Sequence, residues 1–209
     1  MIPTKERIKE VAFSLFAEKG YEATSIADIA AGVGLTKPAL YAHFGGKEDL
    51  FLSIHEDVEN DYNSYMQKVF QEAGPMEVPQ KLFYLFERYI KYFLKNPGGN
   101  AFWYRVMLFP PQDLKDKLAR RVYENERKFS EQLGEIIREG MAQGVLRQGS
   151  VETVSSSFYS IREGLLIFMS YISLGKIKEF DEQKMSAGIR AVWEDYWLGI
   201  KGTAAEFEV

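Results

Sequence analysis

From Ile8 to Ile200 the apolar residues of this chain recur at steps of three and four, and no segment alternates apolar and polar residues between turn signals. A step of three or four lines one face of an α-helix, whereas a strand needs a step of two. The chain is therefore expected to be all-α. Glycine and proline supply the stops: Gly20, Gly32-Val33-Gly34, Gly45-Gly46, Gly74-Pro75, Asn96-Pro97-Gly98-Gly99, Pro110-Pro111, Gly144 to Gly149, and Gly175. Both residues end helices, glycine by adopting left-handed backbone and proline by lacking an N–H. About nine helices follow. The first ends at Gly20, a short second is capped by Thr24 or Ser25, and a third runs from Thr36 to near Phe44. Longer ones cover about 47–72, 77–95, 99–108, 112–142, 150–174 and 181–200.

The first three helices carry the most specific pattern. Ile8, Val11, Ala12, Leu15 and Phe16 give the first helix one apolar face. Residues 25–44 then follow the plan of a helix-turn-helix, two short helices joined by a glycine-containing turn. Packing Ile26, Ile29 and Ala30 on the first helix and on Leu40 leaves the other side of the third helix projecting. Thr36, Lys37, Pro38, Ala39, Tyr41 and His43 are then available to a DNA major groove. Small Pro38 and Ala39 permit close approach, and Lys37 can reach guanine acceptors or a phosphate. Thr24, Ser25, Tyr41, His43 and Lys47 suit phosphate contacts, helped by the free N–H groups of helix N-termini. Net charge is −4, so the protein is not basic overall; but no acidic residue lies between Asp28 and Glu48, a gap that holds Lys37, His43 and Lys47. The expected nucleic-acid surface is a small local patch.

These residues resemble a known family. The run Thr24-Ser25-Ile26-Ala27-Asp28-Ile29-Ala30, then Gly32 to Tyr41, then His43-Phe44 and Lys47-Glu48-Asp49-Leu50, is similar to the tetracycline-repressor (TetR) family, collinearly from residue 5 to about 55. The resemblance implies a three-helix DNA-binding head, a helical ligand-binding and dimerisation body, and repression relieved by a ligand. Where the family often has two adjacent aromatics this chain has Tyr41-Ala42, so base reading falls more heavily on Lys37 and Tyr41. The expected domains are a head over 1–46, a body over 47–201 and a frayed tail over 202–209.

The body carries two further signals. Between Phe83 and Phe109 stand ten of the chain's 30 aromatic residues. Aromatics at helical spacing either form core or line an apolar cavity for a flat or aliphatic inducer. Phe86, Tyr89, Phe93, Trp103, Tyr104 and Phe158 are the expected lining, with Arg105, Arg162 and Glu163 as orienting groups; Glu163 leaves room for a cationic ligand. The last two helices are apolar on more than one face, which means they are covered on more than one side. Phe158, Ile161, Leu165 and Ile172, with Ile189, Val192 and Tyr196, are the expected seam of a four-helix homodimer interface.

Other classes find little support. With no cysteine and only His43 and His55, neither thiolate chemistry nor an ordinary zinc site is expected, and no metal or cofactor is implied. Gly45-Gly46-Lys47-Glu48 is not a phosphate-binding loop, because Glu follows the lysine and Tyr41 stands where the first glycine belongs. No run approaches the roughly 18 apolar residues of a membrane span, and the first residues do not read as a secretory signal. The expectation is a non-enzymatic, cytoplasmic repressor that binds a palindromic operator as a homodimer and is released by a small hydrophobic or aromatic inducer. The alternatives are an activator, or a helical ligand-binding or scaffold protein with a vestigial DNA motif.

Overall fold

A computed structural model describes residues 4–176 and 182–202, with the side chains of 172–176 excepted. Among the described residues are nine helices: α1 (Thr4–Lys19), α2 (Ile26–Val33), α3 (Lys37–Tyr41), α4 (Lys47–Ala73), α5 (Val78–Lys95), α6 (Pro97–Leu108), α7 (Lys115–Ala142), α8 (Val151–Lys176) and α9 (Glu182–Ile200). The only extended pairing among them is one antiparallel bridge, Leu146 with Lys201. The all-α expectation holds. Three boundaries differ: α3 stops at Tyr41 rather than near Phe44, α6 begins at Pro97, and a short 3-10 turn over Gln112–Leu114 precedes α7.

The local chemistry of the short helices explains their ends. Ser25 caps α2 by a reciprocal pair: the Asp28 N–H donates to Ser25 Oγ (3.1 Å), and the Ser25 N–H donates to Asp28 Oδ2 (2.9 Å). The Ser25 hydroxyl (2.6 Å) and the Ser25 N–H, both donating to Asp28 Oδ2, hold the Asp28 carboxyl below its ordinary value. Gly34, at φ 75°, closes the same helix in the left-handed region. Thr36 caps α3 by accepting from the Ala39 N–H (3.3 Å), with Pro38 in the first turn where its missing N–H costs nothing.

The chain divides into two compact units. The first combines residues up to Tyr65 with Asn96–Tyr123, so the head does not stand alone at residue 46. Its core joins Ile8, Ala12 and Phe16 of α1, Ile29 and Ala30 of α2, Leu40 of α3, Leu50 and Phe51 of α4, and Phe102 and Val106 of α6. Phe51 stands edge-on to Phe16 at 5.1 Å and tilted against Phe102 at 5.4 Å. Such pairs add about 0.5–1.5 kcal/mol beyond the area they bury. Arg105 strengthens the same joint by donating to the Ala17 and Glu18 carbonyls at the end of α1, at 2.8 and 2.6 Å. His55, expected only as a residue of the long helix, is 1% exposed, with Nδ1 3.2 Å from Glu59 Oε2.

The second unit takes Met66–Lys95 and the described residues from Glu124 onward. The apolar stripe of α5, including Leu82, Leu85, Phe86 and Ile90, is wholly buried and meets α8 and α9. Phe86, Phe158 and Trp193 form its aromatic centre, with ring centroids 5.3 to 6.3 Å apart. The chain after α9 is tied back to the loop after α7: the Arg147 N–H donates to the Ile200 carbonyl (3.0 Å) and the Gly202 N–H to the Val145 carbonyl (3.1 Å). Gly202 is therefore anchored, and the remainder of the expected frayed tail lies outside the described residues.

The first unit yields a direct test. Phe102→Ala should cost about 3–5 kcal/mol, because it removes a ring buried among α1, α4 and α6. Leu108→Ala, on the same helix but 56% exposed, should stay within about 0.5 kcal/mol of the parent. Urea unfolding followed by circular dichroism separates the two; equal losses would mean that α6 is not held through Phe102.

Candidate functional site

The burial of Leu40 in the first unit decides which way α3 faces. With Leu40 inside (0% exposed), Thr36, Lys37, Pro38, Tyr41 and His43 are all exposed, and Ala39 is half-buried. Tyr41 keeps 53% of its surface accessible although it is a large aromatic. An exposed tyrosine beside an exposed lysine, with no carboxylate between Asp28 and Glu48, makes a hydrogen-bonding and cationic face suited to DNA. Lys5 adds a cation that sequence patterning did not single out: its ammonium lies 5.2 Å from the centre of the Phe44 ring, next to His43.

Two of the expected phosphate contacts serve the interior instead. Thr24 is 1% exposed, and its hydroxyl donates to the carbonyls of Gly20 (2.8 Å) and Leu15 (3.3 Å). It braces the turn after α1 rather than facing outward, while neighbouring Ser25 remains exposed as the cap of α2. Lys47 is half-buried; its ammonium donates to the Tyr21 carbonyl (2.9 Å) and sits 4.0 Å from the Tyr21 ring centre. A cation so placed ties the first turn of α4 to the loop that precedes α2.

The expected ligand residues separate between the two units. Trp103, Tyr104 and Arg105 belong to the first, where Trp103 lies against Tyr62 at 5.9 Å and Arg105 caps α1. Arg105 thus caps α1, and it also lines a small pocket of the first unit with Phe16, Tyr21, Phe51, Phe102 and Phe109. Phe86, Tyr89, Phe93, Phe158 and Arg162 are buried in the second unit, with Glu163 half-buried among them. There Arg162 stacks on Tyr89, with its guanidinium carbon 3.6 Å from the ring centre. Glu163 Oε1 accepts from Arg162 Nη2 (2.8 Å) and from the Tyr89 hydroxyl (2.6 Å). Three members of this cluster escaped the sequence reading: Glu126, Phe129 and Tyr159. Burial raises the Tyr159 hydroxyl to about 12 and pushes the Glu126 carboxyl upward. A signal for two of them existed, because Glu126 and Phe129 share a three-to-four step with buried Leu133 and Ile137 on otherwise charged α7.

The expected dimer seam is corrected more sharply. Phe158, Leu165 and Ile189 are buried within the second unit itself, at 1%, 8% and 0% exposure. Ile161, Val192 and Tyr196 are half-buried, and the Tyr196 hydroxyl donates to the Val154 carbonyl (3.4 Å). The side chain of Ile172 lies outside the described residues. The apolar surface left open is the opposite one. On α8 it is Gly164, Ile167, Phe168 and Tyr171, the last three 52%, 60% and 75% exposed; on α9 it is Gly188, Ala191 and Leu198. A Cβ added at Gly164 or Gly188 would meet nothing within 4 Å.

Comparison with known proteins agrees with this geometry. Residues 8–54 match the family of bacterial regulatory proteins of the tetR type. The chain is 37% identical over 62 residues to the negative transcriptional regulator IcaR of the biofilm operon icaADBC from Staphylococcus epidermidis, covering 30% of this chain and 32% of that protein. It is 50% identical over 52 residues to the HTH-type regulator YerO of Bacillus subtilis, covering 25% of this chain and 18% of that one. The matches thus span about a third or less of these relatives' length. In three dimensions the whole chain superposes on the whole of the TetR-family regulator PfmR from Thermus thermophilus, with a TM-score of 0.67 at 24% identity. Residues 8–54 thus match the DNA-binding region of the tetR family of bacterial regulatory proteins, and the full length shares the fold of the solved regulator PfmR.

Proposed function

We propose that this chain is a transcriptional repressor that acts in the cytoplasm, binds a palindromic operator as a homodimer, and releases it when a small molecule enters the second unit. The observation that carries the reading is the outward face of α3, where Lys37, Tyr41 and His43 stand exposed on a helix anchored by Leu40 and the Thr36 cap. The named function of IcaR, a negative regulator, favours repression over activation. Ser25, Thr36, Lys37, Pro38, Ala39, Tyr41 and His43 make the contacts in this reading, with Lys5 as an added phosphate partner, while Thr24 and Lys47 hold the frame.

The dimer forms through the open apolar face of α8 and α9. Three large apolar side chains on α8 with Leu198 on α9 form a patch too apolar to be left in water, and the glycines allow two helices to approach closely. Two heads related by a two-fold axis then address half-sites about 34–36 Å apart. Release requires that the ligand bind the DNA-incompetent state better than the competent one. A tenfold loss of operator affinity asks for only about 1.4 kcal/mol of such preference. The residues assigned to the ligand are Tyr89, Phe93, Phe158, Arg162 and Glu163 of the second unit.

Selection of bound duplexes from a random library at low salt should return a palindrome; failure to enrich any sequence would remove the repressor reading. On the selected operator, Lys37→Ala should reduce discrimination against random DNA by about 1–3 kcal/mol while leaving the circular dichroism spectrum unchanged. A loss of equal size on both duplexes would make Lys37 a phosphate contact only.

The interface has its own test. Phe168→Glu combined with Leu198→Glu should convert the dimer to a folded monomer in sedimentation, with operator affinity reduced at least tenfold. Phe158→Glu, by contrast, should unfold the second unit by burying an unpaired charge. A double variant that still sediments as a dimer would place the interface elsewhere.

A further inference from the structure

Arg162 is the largest of the side chains buried almost completely, at 2% exposure. A guanidinium does not shed its charge, so its burial must be compensated by neighbours. Three aromatic faces do part of this, with ring centres 3.6 Å (Tyr89), 4.8 Å (Tyr159) and 5.0 Å (Phe129) from its central carbon. Glu163 does the rest, accepting from Nη2 at 2.8 Å and from Nε at 3.1 Å. Three π faces and a carboxylate are the elements from which proteins build cages for organic cations. Here the occupant of the cage is part of the chain.

The charge balance indicates which sign of ligand the cage accepts. Glu126, one turn before Phe129 on α7, is a second carboxylate within electrostatic reach of both Arg162 and Glu163. Burial raises its carboxyl, Arg162 lowers it, and Glu163 raises it further. Its side chain is only half-buried and so keeps an accessible edge. Two carboxylates therefore surround one guanidinium that is already committed to Glu163. An incoming anion meets two acids; an incoming cation meets the same two acids and, in place of the guanidinium, three aromatic faces.

We propose that the ligand of the second unit is a lipophilic organic cation of the quaternary-ammonium kind, which competes with the Arg162 guanidinium for the cage of Tyr89, Phe129 and Tyr159 and is neutralised by Glu126 and Glu163. The proposal rests on the reading that the second unit holds the inducer, and it names that inducer's chemistry. Arg162 is thereby a built-in competitor. It projects inward from α8, two residues before Gly164 and six before Phe168, which open outward from the same helix. Expelling the guanidinium acts on the helix that carries the proposed dimer face.

Titration calorimetry with decyltrimethylammonium and with decanoate, each below its critical micelle concentration, tests this on the full-length parent, Arg162→Met, Glu126→Gln and Glu163→Gln. The cation should bind the parent, bind Arg162→Met at least fivefold tighter because the competitor is gone, and bind Glu126→Gln at least tenfold weaker. Should Arg162→Met fail to fold, the two glutamine variants carry the test, and both must lose affinity for the cation but not for decanoate. Decanoate binding that Arg162→Met abolishes would overturn the proposal, since the ligand would then be an anion paired with Arg162; the inducer reading would survive. Equal cation affinity in all four proteins, or no binding of the cation at all, would overturn it as well. Cation binding with the expected variant pattern but with unchanged operator affinity would keep the cage and remove the inducer reading.

Discussion

The outward face of α3 depends on one buried side chain, Leu40. Five residues are far too few to hold a helix in water, because nucleating the first turn fixes several dihedrals for a single hydrogen bond. α3 persists because Leu40 is withdrawn completely into a core built by α1, α2 and α4. Burying a leucine contributes about 1.5–3 kcal/mol, of the order needed to hold so short a helix in place. The Thr36 cap sets where the helix begins, and Leu40 sets how it is turned. Lys37, Tyr41 and His43 face outward as a consequence of that single constraint. The core under Leu40 is stiff for a further reason: Phe51 bridges Phe16 and Phe102, so the reading helix is backed by residues from α6, more than fifty positions further along the chain.

The second unit is organised around a different problem, a charge that cannot be neutralised by losing a proton. An apolar residue of similar volume at position 162 would avoid the desolvation cost of a buried ion. The chain instead surrounds Arg162 with three rings and two acids. One of those acids is itself pushed towards its protonated form by burial. Such an arrangement couples the cage to Glu126, whose carboxyl burial raises, Arg162 lowers and Glu163 raises. The open apolar face lies on the other side of the helix that bears Arg162. α8 therefore carries both the charge-sensitive cluster and the surface assigned to the partner subunit.

Some of this was legible without coordinates. The capping residues Ser25 and Thr36, the glycine stop at Gly34 and the inward face of α2 all follow from local rules, because a cap or a turn is decided by residues three or four apart. The direction of Leu40 was likewise foreseeable from the spacing of its neighbours. Which faces of α8 and α9 are buried within the protomer was not. Phe158, Leu165 and Ile189 are the most apolar positions at the expected spacing, and for that reason they are claimed by the protomer's own core. Phe168, Tyr171 and Leu198 sit on the opposite side and are exposed, beside Gly164 and Gly188, where an added Cβ would meet nothing. A helix that is apolar all round does not say which of its faces is internal. Thr24 and Lys47 failed for a related reason: a hydroxyl and an ammonium suited to phosphate are equally suited to a backbone carbonyl nearby, and the carbonyls of Gly20 and Tyr21 are the ones they meet.

The sequence by itself determined the helical class, the order of the nine helices and the residues that α3 turns outward. All three are local consequences of apolar spacing, caps and stops. The tertiary structure alone decided that Arg105 caps α1, that Glu126, Phe129 and Tyr159 join Tyr89 and Glu163 around Arg162, and that the free apolar face of α8 is the one bearing Gly164 and Phe168. Each of these rests on side chains distant in sequence competing for the same space or charge. That competition is settled by packing and desolvation, which no window of a few residues contains.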